Sequence, residues 1–240
     1  MTLNSPRVEA DQDVVATASV SDAATPLDRL TYQWSATPVN GTFTAQGPVA
    51  TWRAPKQQRT PDTYTLTLLV ADSSTPAGSP NQRRASSSVQ AHYNDSVREI
   101  TTISTRFLTQ LFATYTVPAN QAVVDFSDSC QGKSDELSDV ANNRINFHIL
   151  SGTYSDVSVD LNADRTFADV SGTCVFHDIP LNPSAPFYGK SEKVQGICSL
   201  TAVYENWRWW LCDSHFRGIP GVPVVPDRLR FRVPGRIVQP

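Results

Sequence analysis

Between residues 7 and 93, apolar and polar positions alternate with a period of two. Val14, Ala16, Ala18 and Val20 share one face, and Leu30, Tyr32 and Trp34 share the next. Tyr64, Leu66, Leu68 and Val70 form a third, and Val89, Ala91 and Tyr93 close a fourth. This period marks strands with one side buried. The gaps carry turn chemistry: Asn40-Gly41 supplies positive φ, and Pro55, Pro61, Pro76 and Pro80 break strands. No useful helical period appears in this stretch. The pattern predicts a small antiparallel β-sandwich.

The pattern changes at residues 92–96. Ser96-Val97-Arg98-Glu99 has capping-box spacing, in which the Ser96 hydroxyl accepts from the amide of residue 99 and Glu99 reaches back to the amide of 96. Ile100, Ile103, Phe107, Leu108, Leu111 and Tyr115 then fall on one helical stripe. Pro118 sets the helix end near Thr116. A weaker second helix is predicted over 133–142. Alternation returns with Val157, Val159 and Leu161, a turn at Asn162-Ala163-Asp164-Arg165, and Ala168, Val170, Gly172, Cys174 and Phe176. After a proline-rich loop at 180–189 come Val194, Gly196, Cys198, Leu200, Ala202 and Tyr204. A turn at Glu205-Asn206 leads to Trp207, Trp209, Leu211, Asp213 and His215. Pairing 204 with 207 makes Ala202 face Trp209 and Leu200 face Leu211. The predicted fold class is mixed β and α+β: an N-terminal antiparallel β-sandwich, then a helix packed on a curved antiparallel sheet. Boundaries are expected at 6–93, 94–218 and an extended tail, 219–240.

Two resemblances attach to these halves. Leu30-Thr31-Tyr32-Gln33-Trp34, Asn40-Gly41-Thr42-Phe43, Ala50-Thr51-Trp52-Arg53-Ala54-Pro55 and the strand Tyr64–Asp72 resemble a PKD-type immunoglobulin-like domain. Where that family has glycine before the tyrosine strand, Pro61-Asp62-Thr63 stands here. The resemblance implies an extracytoplasmic spacer or binding module. The helix Ile100–Tyr115, the segments Phe126–Cys130 and Asn142–Phe147, the hairpin Tyr154–Phe176 and Tyr204-Glu205-Asn206-Trp207-Arg208-Trp209 resemble the nuclear-transport-factor-2-like cone of polyketide-cyclase-like and ketosteroid-isomerase-like proteins. That resemblance implies a pocket inside the cone, holding an Asp or His in the enzymes of the family.

Composition narrows the field. The net charge of −3 gives no global field that recruits nucleic acid or an acidic membrane. No apolar run reaches the ~18 residues of a membrane span. No export signal is visible, and Met1–Pro6 reads as a true start or as the start left by a removed signal. The four cysteines, Cys130, Cys174, Cys198 and Cys212, lack C-x-x-C spacing, so no zinc site is expected. Two disulfides and buried free thiols are both open readings; the extracytoplasmic resemblance favours disulfides. Pairing 179 with 193 puts Cys174 opposite Cys198, and a turn at 205–206 puts Cys198 and Cys212 on opposite faces. Cys174–Cys198 is then preferred, with Cys130–Cys212 following; a one-residue bulge would favour Cys198–Cys212 instead.

The expected ligand pocket comprises Tyr204, Trp207, Trp209, Leu211, Asp213 and His215, with His148 able to point inward. A carboxylate beside apolar walls can serve as a base. Yet Glu99 is assigned to the cap, and no tyrosine–aspartate pair matches the isomerase arrangement. No serine elbow, phosphate loop, zinc helix or dinucleotide fingerprint occurs. His92, His148, His177 and His215 lack metal spacing, so neither a metal nor a cofactor is predicted. Trp34, Trp52 and the run Trp207–Trp210 are candidate sugar platforms, with core packing the competing reading. Asp22, Asp28 and Asp72 form a weak calcium pattern without D-x-D-x-D spacing. Asn40-Gly41-Thr42 and Asn94-Asp95-Ser96 match the glycosylation sequon, and turn chemistry accounts for both equally.

Residues 217–240 hold five prolines, five arginines and one acid. Gly218–Pro226 should be extended. Arg228, Arg230 and Arg232 alternate with Leu229, Phe231 and Val233, a pattern able to add an edge strand to another sheet. A solvated terminus is the competing reading. The functional expectation is a non-catalytic, extracytoplasmic binding or assembly protein. It contacts a protein partner, or a second copy, through Arg228, Leu229, Arg230, Phe231 and Arg232. A small-molecule or enzymatic cone pocket and a carbohydrate-binding surface are the two alternatives.

Overall fold

The computed structural model describes residues 1–23, 26–73, 79, 82–112, 117–184 and 188–218. The chain divides into two units, Met1–Ser96 and Val97–Pro240. The first is built from β1 (Thr2–Leu3), β2 (Arg7–Glu9), β3 (Asp13–Thr17), β4 (Leu30–Thr37), β5 (Thr42–Gln46), β6 (Val49–Arg53), β7 (Asp62–Asp72) and β8 (Arg84–Asn94). They form two sheets, ordered β1-β3-β6-β5 and β2-β8-β7-β4. The expected all-antiparallel sandwich holds except at one pair, because β2 runs parallel to β8.

One core joins the inward faces of both sheets. Val14, Ala16 and Trp52 come from the first, and Tyr64, Leu66, Ala91 and Tyr93 from the second. Trp52 is fully buried and packs at a tilt against Tyr64, with centroids 4.9 Å apart. Its indole N–H donates to the Asn40 carbonyl at 3.1 Å. Gly41, at φ +75°, lies so close that a Cβ there would sit 2.5 Å from the indole nitrogen. The Asn-Gly turn therefore serves the core as well as the backbone. Trp34, in phase with its apolar neighbours, is only partly buried; it stacks on Phe43 and donates to Gly47. The carboxylate of Glu9 accepts both the amide and the hydroxyl of Ser96, at 3.1 and 2.7 Å.

The second unit starts with α1 (Ser96–Phe112), α2 (Ala119–Ala122) and α3 (Gly132–Asn146). An antiparallel meander follows: β9 (Phe147–Leu161), β10 (Phe167–Pro180), β11 (Glu192–Glu205) and β12 (Arg208–Gly218), in sheet order β12-β11-β10-β9. This is the expected α+β arrangement. Ile100, Ile103, Phe107, Leu108 and Leu111 form the buried stripe of α1 and pack into a core with Val170, Leu200, Trp209 and Leu211. Tyr115, expected on the same stripe, lies outside the described residues.

The sheet departs from the expected register in three places. The turn falls at Asn206-Trp207, both with positive φ (52° and 65°), so Tyr204 pairs with Trp209 and Ala202 with Leu211. The slip is two residues from the expected pairing, which leaves Trp209 and Leu211 on their expected face. Across β10–β11, Cys174 pairs with Gly196 and Gly172 with Cys198. The two cysteines are thus diagonal neighbours, their Cα atoms 5.7 Å apart, and they are bonded. The third departure is a bulge in β12 at Cys212. It does not bring Cys212 to Cys198, which pairs with Phe216; Cys212 is bonded to Cys130.

Candidate functional site

The bulge sets the chemistry of the sheet's second face. Before it, Trp209 and Leu211 point into the core. The extra residue inverts the phase, so Ser214 takes the buried position opposite Leu200. Asp213 and His215 then fall opposite Thr201 and Ser199, on the face turned from the core. Register carries this pattern across all four strands. Asp160, Asp169, Thr201 and Asp213 form one row, and Ser158, Ser171, Ser199 and His215 the next. Like charges set opposite one another on a sheet destabilise it, so the direct Asp160–Asp169 pairing works against folding.

Helix α3 supplies a second wall. Its first residue, Gly132, lies so close to β12 that a Cβ there would come within 2.1 Å of the Cys212 carbonyl. The Cys130–Cys212 bond fixes the same place covalently. Asp135, Glu136 and Asp139 of α3 then join the two rows around a cleft of about 1070 Å³. Six carboxyl groups line it, with His215, and among the described residues no lysine or arginine does.

Glu136 is the most constrained of the six. It is 3% exposed; Oε2 accepts the Ser214 hydroxyl at 2.5 Å, and Oε1 is buried with no hydrogen-bond partner among the described residues. Burial pushes its carboxyl up to about 8; the Ser214 hydrogen bond opposes this, and the charges of Asp139 and Asp213 add to it. His215 Nε2 lies 3.2 Å from Asp213 Oδ2, and its Nδ1 is buried with no hydrogen-bond partner among the described residues.

The six residues expected to share a pocket are not brought together. Trp209 and Leu211 are sealed in the core, with Tyr204 packed edge-on against Trp209 at 5.5 Å. Trp207 sits in the turn, 44% exposed. Only Asp213 and His215 line the cleft. His148 is the second residue of β9, is exposed, and is not among the residues that line the cleft. Asp160, Asp169 and Glu136 were not singled out from the sequence. The first two look like ordinary solvent-face alternates, and Glu136 belongs to a helix whose polarity hides one buried carboxylate.

Trp52 presents no face to a sugar, and Trp210 donates to the Glu205 carbonyl under the Arg208 guanidinium, 3.9 Å from its ring centre. Arg83 stands 3.7 Å from Asp22 and 3.4 Å from Asp72, where a calcium ion would have to sit. The Asp28 side chain is outside the described set, and no group of three His, Cys, Asp or Glu among the described residues could hold a metal. Asn94 is fully buried, which leaves no room for a glycan. Arg228, Leu229, Arg230, Phe231 and Arg232 lie outside the described residues.

Neither a family model nor a curated protein matches the chain. Among solved structures it is similar to a nuclear transport factor 2 (NTF2-like) superfamily protein from Salmonella enterica. That match has 13% identity over 54% of this chain and 94% of that one, with a TM-score of 0.41. It is similar to a putative scytalone dehydratase from Novosphingobium aromaticivorans, with 14% identity over 51% and 83% and a TM-score of 0.41. The intermembrane-space region of the chloroplast protein ARC6 gives 13% identity over 51% and 96%, with a TM-score of 0.39.

Proposed function

We propose that this chain is a non-catalytic, extracytoplasmic binding or assembly protein. Its second unit takes a basic, extended segment of a protein partner into the carboxylate-lined cleft. The row Asp160–Asp169–Thr201–Asp213, walled by the acidic face of α3, carries this reading. Its charges stand on three of four neighbouring strands at a spacing of ~4.8 Å per strand, so they match a row of cationic side chains better than a single ion. A cation in the cleft also relieves the repulsion between Asp160 and Asp169. Two disulfides fit an oxidising compartment. Among the described residues, no helix is long and apolar enough to cross a membrane. The first unit, in this reading, is an immunoglobulin-like spacer of PKD type.

Titrating the full chain calorimetrically with an oligo-arginine peptide tests the proposal, with oligo-glutamate as control. The expected result is binding of the arginine peptide alone. Affinity should fall as salt rises, and by roughly tenfold or more in Asp160→Asn/Asp169→Asn/Asp213→Asn. Equal binding by that triple variant removes the cleft as the binding site.

A further inference from the structure

We infer that the occupant of the cleft is this chain's own arginine segment, Arg228–Arg232, lying across the row from Asp160 to Asp213. The inference rests on the cationic-segment reading above and names the segment. Charge is the first argument. Residues 219–240 contain four arginines and one aspartate, whereas six carboxyl groups and, among the described residues, no lysine or arginine line the cleft. The bare Glu136 Oε1 adds a buried acceptor with nothing in the described structure to satisfy it.

Spacing is the second argument. In an extended chain Arg228, Arg230 and Arg232 fall on one face and span about 14 Å at ~3.4 Å per residue. Asp160 and Asp213 stand three strand positions apart, also about 14 Å at ~4.8 Å per strand. An extended segment crossing the strands therefore sets three guanidinium groups against a row with carboxylates at both ends. Paired fork-to-carboxylate contact is the geometry arginine favours.

Tethering is the third. Asp213 and His215 belong to β12, which ends at Gly218, and Arg228 stands ten positions further on. Those ten residues reach about 33 Å when extended, more than twice the row's width. A segment on so short a leash meets the cleft at an effective concentration on the order of millimolar, well above that of a second copy in dilute solution. An outside basic partner then has to displace the tail, which makes the tail a competitor built into the chain.

Two measurements on the full chain decide this. In Arg228→Lys/Arg230→Lys/Arg232→Lys, a carbodiimide joins lysines to adjacent carboxylates and mass spectrometry locates the links. Links from residues 228–232 to Asp160, Asp169 or Asp213, within a monomer-sized product, are expected. Links elsewhere, or only in a dimer-sized product, overturn the inference; the second outcome assigns the cleft to the tail of another copy. In Arg228→Gln/Arg230→Gln/Arg232→Gln, the oligo-arginine probe should bind at least tenfold tighter than to the native chain, because its competitor is gone. Equal, measurable affinity for both chains overturns the tail inference and keeps the cationic reading. Binding to neither overturns both.

Discussion

Glu136 shows how one residue carries both a cost and a use. With its carboxyl pushed up to about 8 from an ordinary 4.5, the folded chain keeps a proton there that the unfolded chain releases. Folding stability must therefore fall as pH rises from about 4.5 to about 8, at no more than about 1.4 kcal/mol per pH unit from this group. Glu136→Gln should flatten that slope, seen as a smaller loss of urea midpoint between pH 5 and pH 8 than in the native chain. Parallel curves would show the group is ionised throughout. The groups around Glu136 are Asp135 and Asp139 on its own helix, Asp213 and His215 on β12, and Asp160 and Asp169 across the cleft. A cation bound among them favours the ionised form, so affinity should also rise over the same pH range. Glu99 makes a second residue-scale case. The sequence marked it as one arm of a capping box, but its Oε1 accepts the backbone amide of Trp209 at 2.8 Å, both groups being buried. Removing a buried acceptor costs about 1–3 kcal/mol, so Glu99→Ala should lower unfolding free energy by that amount in denaturant titration. A short motif fixed the helix start, and nothing in its spacing told of a strand one hundred and ten positions away.

Among the elements, strand β12 departs furthest from simple alternation. Period-two patterning made the strands, their faces and the buried stripe of α1 legible, because burial leaves a mark at every second or every third and fourth position. A slip of two residues at the Asn206-Trp207 turn left no such mark, since faces are unchanged by it. The bulge at Cys212 was equally silent, since one extra residue shifts Asp213 and His215 to the other face without altering composition. For the same reason, a carboxylate row built from three separate strands could not be seen in the sequence. Two substitutions test whether α3 and β12 are locked together as the cleft requires. Gly132→Ala puts a methyl group where the Cys212 carbonyl lies and should destabilise the chain by about 1–3 kcal/mol in denaturant unfolding. Cys130→Ser/Cys212→Ser removes a bond closing 82 positions of sequence and should cost about 2–5 kcal/mol. It should also weaken oligo-arginine binding, since the α3 wall then loses its covalent anchor. Unchanged affinity would mean that packing alone holds that wall.

For the whole molecule, the change of pattern at residues 92–96 marks where one unit ends and the next begins, at Ser96 and Val97. The fold class was legible because each half carries its own period, and the parallel pairing of the three-residue β2 was too short to leave a trace. The proposed function rests on one surface: three strands and a helix that converge six carboxyl groups on one cleft. Mapping backbone amide shifts by NMR during titration of the full chain with the arginine peptide tests that claim most directly. The shifts should concentrate at residues 158–160, 169–171, 199–201, 213–215 and 132–139. Shifts confined to the first unit, or to the Trp207 turn, would contradict it.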